Sequence, residues 1–403
     1  MITVNEAIEK ILQNNTVKKK IVSKNIVEAI GYVLAEDVFT DRDYPPFNRS
    51  TMDGYAIVAQ DLNSKKEKIL TNKGTLLAGD ANQFTYEENC CIKIMTGAPV
   101  PQGFDSVIKI EDTSQVDNEV TFSIDEVKLG QNIAKQGEDI RQDQLAITKG
   151  SICNHSIISI LATIGKTKID VYELPTIAII STGSEVIESD KTPLPHQIRD
   201  SNSYALRGLL KNLGITPKSV LLINDTKDAL EKAVIAGLKF DILILSGGVS
   251  MGEADFVPQV LEQQGIEKIF HKVKVKPGKP IWFGNYDKGV VFGLPGNPFS
   301  CMVGFKIFIE PLIYNCLKLQ PQQPMLLPMS SSRKKRGDRT EFLSTKIVHG
   351  ATSKLKNIDT KGSGDITASL NSSGLALQEA QTSQLNENDI VKFYPWKRGD
   401  YDY

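Results

Sequence analysis

Two segments rich in proline and glycine could together bind an anion: Lys-Pro-Gly-Lys-Pro at 276–280 and Leu-Pro-Gly-Asn-Pro at 294–298. Glycines let backbone N–H groups approach a ligand, and lysines supply positive charge. A helix that begins after Pro298 would point its positive end at the anion. A third segment, Ser-Gly-Gly-Val-Ser at 246–250, follows a strand-like run. The three segments predict a site for a ligand that bears a phosphate group.

The lysines at 272, 274 and 276 alternate with valines, which predicts a strand with its ammonium groups on one face. Such a stripe is usually a solvated surface. Lys276 and Lys279 are better candidates for anion binding than Lys272, because they adjoin the proline-rich turn. Ser300 could present its hydroxyl and N–H at the start of the next helix, although ordinary capping explains its position equally well.

Three carboxylates, Glu185, Asp225 and Asp255, follow three consecutive predicted strands. At the same end of a parallel sheet they would repel each other without a cation, so they predict a shared Mg²⁺. The alternative for Asp225 and Asp255 is that each caps the helix that follows it.

The elements that must position these residues alternate between strand and helix from 175 to 318, which predicts a parallel sheet with helices on both faces. Ligands of such sheets bind beyond the carboxyl ends of the strands, where the segments above fall. The predicted strands lie at 176–181, 219–223, 242–245, 273–275, 281–283 and 290–292. The predicted helices lie at 204–213, 229–238, 257–264 and 300–314.

The rest of the chain predicts three further domains around this central α/β domain at 173–318. Apolar residues at helical spacing in 2–40 and 150–172 predict an elongated helical N-terminal domain formed by 1–44 and 141–172. Short apolar runs between turns predict a β-rich insert at 45–140. The remainder, 319–403, predicts a small C-terminal β-barrel-like domain.

Composition excludes several classes of protein. The formal net charge is -1, so the chain lacks the excess of positive charge typical of proteins that bind nucleic acid. The sequence contains no run of 18 apolar residues, so no membrane-spanning helix is predicted. Five cysteines without paired spacing and an N-terminus without a signal-peptide core favour reduced thiols in a cytoplasm. The four histidines show no spacing typical of metal ligands.

Seven segments in one order resemble the molybdopterin molybdenumtransferase family, which is related to the E domain of gephyrin. The resemblance spans essentially the full length. The segments are Ser-x-Met-Asp-Gly-Tyr-Ala at 50–56, Thr-Gly-Ala-Pro at 96–99, Gly-Glu-Asp-Ile at 137–140, Ser-Thr-Gly at 181–183, Ser-Gly-Gly-Val-Ser at 246–250, Lys-Pro-Gly-Lys-Pro at 276–280 and Leu-Pro-Gly-Asn-Pro at 294–298.

The resemblance implies that the chain inserts molybdate into adenylylated molybdopterin with Mg²⁺, releasing AMP and the molybdenum cofactor. It implies a four-domain, elongated homodimer whose site lies between subunits, so that Asp53 and Thr96 reach the site of the partner chain. The molybdopterin adenylyltransferase that supplies the substrate is a candidate partner; neither nucleic acid nor membrane is expected as one.

The expected site follows from the segments and the resemblance together. Lys276, Lys279, Ser300 and Arg339 are expected to hold molybdate. The expected catalytic residues are Asp53, Thr96, Glu185, Asp225, Asp255, Lys276 and Lys279. The expected cofactor-binding residues are Ser181, Thr182, Gly183, Ser246, Gly247, Gly248, Ser250, Pro295, Gly296, Asn297, Pro298, Ser300, Arg339 and Ser369.

The chain departs from the family pattern at Ser184, where aspartate is usual, and at Lys135, the nearest replacement for a usual arginine. The spacing of Ser363 and Ser369 is also shifted. Two alternatives stay open at this point: a molybdopterin adenylyltransferase, and a dimeric molybdopterin-binding scaffold without catalysis. The sequence does not distinguish molybdate from tungstate, nor does it indicate the enzymes that receive the cofactor.

Overall fold

The computed structural model describes residues 1–80, 84–249, 256–319 and 322–397, and the chain divides into two units. The larger unit comprises Met1–Glu36, Gly150–His155 and Lys168–Tyr403. The smaller unit comprises Asp37–Lys149 and Ser156–Thr167. The domain boundaries predicted from the sequence stay a prediction.

The helices of the described residues are short. The α-helices are Val4–Gln13, Ala59–Ser64, His155–Thr163, Asn202–Asn212, Lys227–Gly237, Val257–Gln263, Pro298–Gly304 and Glu310–Cys316. A 3₁₀ turn spans Ile110–Asp112, and a π-helical segment, Phe305–Ile309, joins the last two α-helices into one continuous helix. Within the described residues this helix, Pro298–Cys316, has the length and composition of a membrane span, but 83% of its apolar window is buried inside the protein, as expected of a core helix.

A six-stranded sheet forms the centre of the larger unit. Its order is Ser219–Ile223, Ile177–Thr182, Ile242–Ser246, Gly289–Leu294, Trp282–Tyr286 and Glu267–His271. The first four strands are parallel, and the last two are antiparallel to their neighbours. The three inner parallel strands are buried along their length because helices cover both faces, whereas the edge strand Ser219–Ile223 is only partly buried. Ile177 and Ile179 pack against Leu206 on one face, whereas Ala178 and Ile180 pack with Leu230 on the other.

The prediction of a parallel sheet is therefore wrong for the strand predicted at 281–283, which runs antiparallel to its neighbour. Trp282–Tyr286 and Gly289–Leu294 form a hairpin in which Tyr286 pairs with Gly289, so the connection is too short for a crossover. The strand Glu267–His271 was not predicted and completes the antiparallel edge.

A second six-stranded sheet occupies the C-terminal part of the larger unit. Its order is Val275–Lys276, Thr340–Val348, Gly374–Gln378, Ile390–Pro395 and Met325–Pro328, with Lys354–Asn357 pairing beside Thr340–Val348. Val275–Lys276, assigned to the α/β domain by sequence, thus pairs with the C-terminal sheet. Small two-stranded ladders complete the unit: Ile21–Asn25 with Lys168–Tyr172, Val186–Ile187 with Ile198–Arg199, and Arg333–Lys334 with Gln384–Leu385.

The smaller unit contains the β-rich segment. Its six-stranded sheet has the order Ser106–Lys109, Gly54–Ile57, Cys90–Ile94, Ile69–Leu76, Glu119–Phe122 and Thr113–Val116. Two ladders flank it: Arg49–Ser50 with Ile133–Ala134, and Val38–Phe39 with Leu145–Ile147.

The prediction of an elongated helical N-terminal domain fits poorly, because only Val4–Gln13 and His155–Thr163 are helices in the segments predicted to form it. Val4–Gln13 is a helix, begun by a capping box in which Thr3 and Glu6 exchange hydrogen bonds. The segment 26–32 forms turns, and Val33 and Leu34 bridge to Ile152 and Val171. Pairing of Ile21–Asn25 with the strand Lys168–Tyr172 replaces the predicted second helix, and Val27 and Ile30 stay exposed instead of forming a buried helical face.

Candidate functional site

The parallel strands end at one edge of the central sheet, beside a cavity of about 910 Å³, here called the strand-end cavity. Most of the residues predicted for ligand binding line it. They are Ser181, Thr182, Gly183, Glu185, Asp225, Ser246, Gly247, Gly248, Pro295, Gly296, Asn297 and Pro298. The structure thus brings these residues together at one edge of the sheet.

The Gly247-Gly248 turn owes its shape to glycine. Both residues adopt positive φ angles, +100° and +64°. A Cβ atom at Gly247 would lie 2.3 Å from the carbonyl oxygen of Thr182. The N–H of Gly247 donates to the carbonyl of Leu294 at 3.1 Å, so the turn lies between the ends of two neighbouring strands. No other residue type fits this close approach.

Two of the three predicted metal-binding carboxylates belong to the same cavity. Asp225 Oδ1 accepts a hydrogen bond from Thr182 Oγ1 at 3.0 Å, and Glu185 folds back close to Gly183. Asp255 and Ser250 lie outside the described residues. Among the residues that the structure does describe, no cluster of three His, Cys, Asp or Glu side chains could hold a metal ion.

A second cavity of about 700 Å³, here called the cationic cavity, is lined by Lys276, Lys279, Arg333 and Arg339. Ser300 also lines it and is buried in the first turn of the helix. The two cavities share Pro280, Pro295 and Asn297 as wall residues. The predicted molybdate residues are therefore brought together, next to the strand-end cavity.

The segment 272–276 is not a strand along its whole length, as predicted, but its valines are buried as predicted. Only Val275–Lys276 is a strand, and Lys272 adopts a left-handed φ of 76°. Val273 and Val275 are nevertheless fully buried while Lys276 is exposed. The N–H of Val273 donates to the carbonyl of Lys279 at 3.0 Å, which closes the turn that carries Lys279.

Glu341 is a buried carboxylate at the wall of the cationic cavity, and sequence reasoning did not assign it to the site. Its Oε1 accepts from Lys276 Nζ at 3.0 Å, and its Oε2 accepts from Arg333 at 2.5 Å. Burial would raise the pKa of Glu341, but the hydrogen bonds from Arg333 and Lys276 hold it below its usual value. Arg333 also donates to Gln378, so the network fixes both cations.

Of the two serines singled out near the C-terminus, Ser363 lines the cationic cavity, whereas Ser369, which was predicted to bind the cofactor, lines neither cavity. Asn297 Nδ2, at the start of the helix Pro298–Gly304, donates to Ser363 Oγ at 2.8 Å, and Ser363 lines the cationic cavity. Ser369 instead directs its hydroxyl to the sulfur of Met302 and is not among the residues lining either cavity.

Asp53 and Thr96 lie in the smaller unit, where the fold brings them together. Asp53 Oδ1 accepts from both the N–H and the hydroxyl of Thr96, each at 2.7 Å. These bonds, the backbone one first, hold the pKa of Asp53 below its usual value. The carboxylate is exposed and ionised at neutral pH.

Sequence reasoning also missed Asp200 and Asn202, which are buried at the wall of the strand-end cavity. The sequence pattern around them gives only a weak indication of a functional role. An Asp-Ser-Asn-Ser run just before a predicted helix is typical of a helix cap and indicates nothing about a ligand.

Two family models match this chain. Residues 2–165 match the MoeA N-terminal region (domain I and II), and residues 178–315 match a probable molybdopterin binding domain. Among curated proteins, the chain is 34% identical to a molybdopterin molybdenumtransferase of Staphylococcus epidermidis, over 81% of this chain and 78% of the relative. It is 32% identical to that of Synechocystis sp., over 91% and 93% of the two chains.

The fold is likewise similar to a solved structure. A molybdopterin biosynthesis MoeA protein from Pyrococcus horikosii superposes with a TM-score of 0.84 and 28% sequence identity, covering 99% of this chain and 100% of that chain.

Proposed function

The chain belongs to the molybdopterin molybdenumtransferase family, transferases of molybdenum cofactor biosynthesis, and we propose that it inserts molybdate into adenylylated molybdopterin, releasing AMP. The observation that carries the proposal is the shared wall of the two cavities, formed by Pro280, Pro295 and Asn297. A ligand in the strand-end cavity and an oxyanion in the cationic cavity would meet at this wall.

The chemistry of each cavity suits one substrate. Molybdate is a tetrahedral dianion, and Lys279 and Arg339 supply positive charge and N–H donors for its oxygens. Glycine turns and strand ends in the strand-end cavity suit the phosphate and the heterocycles of the adenylylated ligand. Tungstate has the same shape and charge, so the choice between the two oxyanions stays open.

The proposed reaction requires no protein nucleophile, because the dithiolene sulfurs of the substrate capture the metal. The thiol nearest to the strand-end cavity is consistent with this. Cys301 contacts Ser246 Oγ, and burial raises the pKa of Cys301 to about 12, so it stays protonated at neutral pH. The protein would act by positioning and electrostatics.

A Mg²⁺ ion fits the donor set of the strand-end cavity. Glu185 and Asp225 offer hard oxygen ligands beside the turns expected to bind phosphate, and Mg²⁺ commonly uses one or two carboxylates together with substrate phosphates. Asp255 is the proposed third carboxylate. When bound, the ion would stabilise negative charge on the leaving phosphate.

We also propose a homodimer in which Asp53 and Thr96 complete the site of the partner chain. The Asp53–Thr96 pair forms a preorganised, ionised group far in sequence from the cavities. Phe39, Phe47 and Met52 are exposed large apolar residues of the smaller unit, which is consistent with an interface there. A cytoplasmic location and contact with the adenylyltransferase that supplies the substrate complete the proposal.

The test is AMP release from purified chain, adenylylated molybdopterin and Mg²⁺, measured with and without molybdate. We expect AMP release to require molybdate. In a parallel assay that supplies molybdopterin and ATP, consumption of ATP without a requirement for molybdate would instead favour the adenylyltransferase alternative. Binding of the ligand without any turnover would favour the scaffold.

A further inference from the structure

A buried polar turn at 200–203 adjoins the strand-end cavity without belonging to any segment assigned a role above. Asp200, Asn202 and Ser203 are only 7%, 8% and 2% exposed. The helix Asn202–Asn212 begins inside this turn, and its first cap, Ser201, makes no side-chain capping bond. Asp200 caps the first turn instead, by accepting the N–H of Ser203, and the buried polar groups also make contacts outside the helix.

Asp200 joins the turn to the end of the strand Ile177–Thr182. Its Oδ1 accepts from Ser181 Oγ at 3.0 Å and from the N–H of Ser203 at 3.1 Å, and its Oδ2 accepts from the Ser203 hydroxyl. Among the described residues, the carboxylate of Asp200 thus accepts hydrogen bonds only from uncharged groups, and these bonds fix the positions of Ser181 and Ser203.

Asn202 joins two other loops of the cavity. Its Nδ2 donates to Ser246 Oγ at 2.8 Å, at the end of one strand, and to the carbonyl of Gly296 at 2.7 Å, just before the helix Pro298–Gly304. A carbonyl can only accept, so the amide nitrogen must face Gly296 and the orientation of the side chain is fixed.

The carbonyl oxygen of the Asn202 side chain costs folding free energy, because it is buried without a hydrogen bond from any described residue. Asn202 Oδ1 is buried and has no hydrogen-bond partner among the described residues. An unmatched buried acceptor destabilises a fold, so asparagine at this position is explained by its two donated bonds and not by stability.

We infer that Asp200 and Asn202 are positioning residues that hold the loops at Ser181, Ser246 and Gly296 in the arrangement that receives the adenylylated ligand. Neither residue lines the cationic cavity. Their effect is therefore on the affinity for the nucleotide-bearing ligand and not on that for molybdate. The inference rests on the proposed function, which assigns the two ligands to the two cavities.

The experiment compares Asn202→Asp with the unsubstituted full-length protein. The substitution keeps the size of the side chain and removes both donors, so the loops at Ser246 and Gly296 lose their link. Binding of AMP alone is measured by calorimetry, and KM for adenylylated molybdopterin and for molybdate by AMP release. We expect the AMP Kd and the first KM to rise on the order of ten- to a hundredfold, and the molybdate KM to change less than about twofold.

Two further variants separate positioning from general damage. Ser246→Ala removes one acceptor of Asn202 and should weaken AMP binding less than Asn202→Asp, and the double variant should be non-additive because both act through one bond. Asn212→Asp, at the exposed far end of the same helix, should bind AMP as the unsubstituted protein does. All measurements are made below the melting transition of each variant.

Unchanged AMP affinity in Asn202→Asp would overturn the inference, as would equal rises in both KM values, since these indicate a general structural role. Failure of the proposed function would be visible in the unsubstituted protein, as molybdate-independent AMP release or no binding of AMP, and would overturn both proposals together.

Discussion

At the scale of single residues, the cations of the cationic cavity are not equivalent. Lys276 and Arg333 share the buried carboxylate of Glu341, which neutralises part of their charge. Arg339 donates to the carbonyl of Val275 at 3.4 Å. Within the part of the chain that the structure describes, Lys279 makes no ion pair, and its turn is closed by the bond from Val273 to its carbonyl. Lys279 is thus the cation most available to an oxyanion.

We expect Lys279→Ala to raise the molybdate concentration needed for activity far more than it weakens binding of adenylylated molybdopterin. Loss of one charge-assisted contact should cost about 1.5–3 kcal/mol, or on the order of ten- to a hundredfold in affinity. The matched control is Lys274→Ala, because Lys274 is exposed on the same segment and lines neither cavity. Equal effects of the two substitutions on the molybdate dependence would defeat the assignment.

Glu341→Gln should lower the free energy of unfolding at pH 7 by about 1.5–3 kcal/mol, because its side chain is buried and accepts from two cations. The folded pKa of Glu341 lies below its usual value, so its stabilisation is present above that usual value and is lost as the pH falls through the lowered pKa. Urea unfolding should therefore show the same difference between the two proteins at pH 7 and at pH 5, and a smaller difference at pH 3. A difference that is constant with pH would show that the charge of Glu341 is not what stabilises the fold.

At the scale of elements, the strand ends are positioned by contacts between turns that only glycine permits. The turn at Gly247 is pressed against the end of the neighbouring strand at Thr182. A side chain there would move the Gly-Gly turn and the strand end apart, and with them the wall of the strand-end cavity.

We expect Gly247→Ala to weaken AMP binding at least tenfold and to destabilise the fold, because alanine at a φ of +100° is strained and its Cβ would lie 2.3 Å from a carbonyl oxygen. Gly208→Ala is the control. Gly208 lies within the helix Asn202–Asn212 with nothing within 4 Å of an added Cβ, so alanine should stabilise by about 0.5–1 kcal/mol and leave AMP binding unchanged. Calorimetry and thermal unfolding measure both quantities. Normal AMP binding by Gly247→Ala would show that the turn does not shape the ligand site.

At the scale of the whole molecule, the proposed site draws on residues of both units. Asp53 and Thr96 belong to the smaller unit, whereas the two cavities belong to the larger one. The proposed homodimer would combine the smaller unit of one subunit with the larger unit of its partner.

Subunit complementation tests this arrangement. Asp53→Ala and Lys279→Ala chains with different tags are expressed together and the mixed dimer is purified. If each site takes Asp53 from one subunit and Lys279 from the other, the mixed dimer has one intact site. At a molybdate concentration well below that needed by Lys279→Ala, we expect about half of the unsubstituted activity from it, although each variant alone is nearly inactive under these conditions. A mixed dimer as inactive as its parents, or a monomer in sedimentation, would rule out the shared site.

Local sequence patterns were sufficient to predict most of the α/β elements and the types of side chain that line the two cavities. The strand Ser219–Ile223 has the predicted bounds, and the helix at Pro298 begins where proline and glycine predicted it. These features are local: apolar runs, turn residues and helix starts are read from neighbouring residues. The Ser-Thr-Gly, Ser-Gly-Gly and Leu-Pro-Gly-Asn-Pro segments were assigned to one edge because parallel strands end on the same side.

Contacts between residues that are distant in the sequence could not be predicted from local patterns. The apolar spacing in 26–34 predicted a helix, but these residues form turns and bridges to 152 and 171, because pairing with a distant strand is invisible to local periodicity. Glu341 lies between Lys276 and Arg333, and Asn202 joins Ser246 to Gly296, through contacts that no spacing along the chain encodes. Local physics thus fixed the types of the groups in the site, whereas long-range packing decided which of them are held rigid and which of them remain available to a ligand.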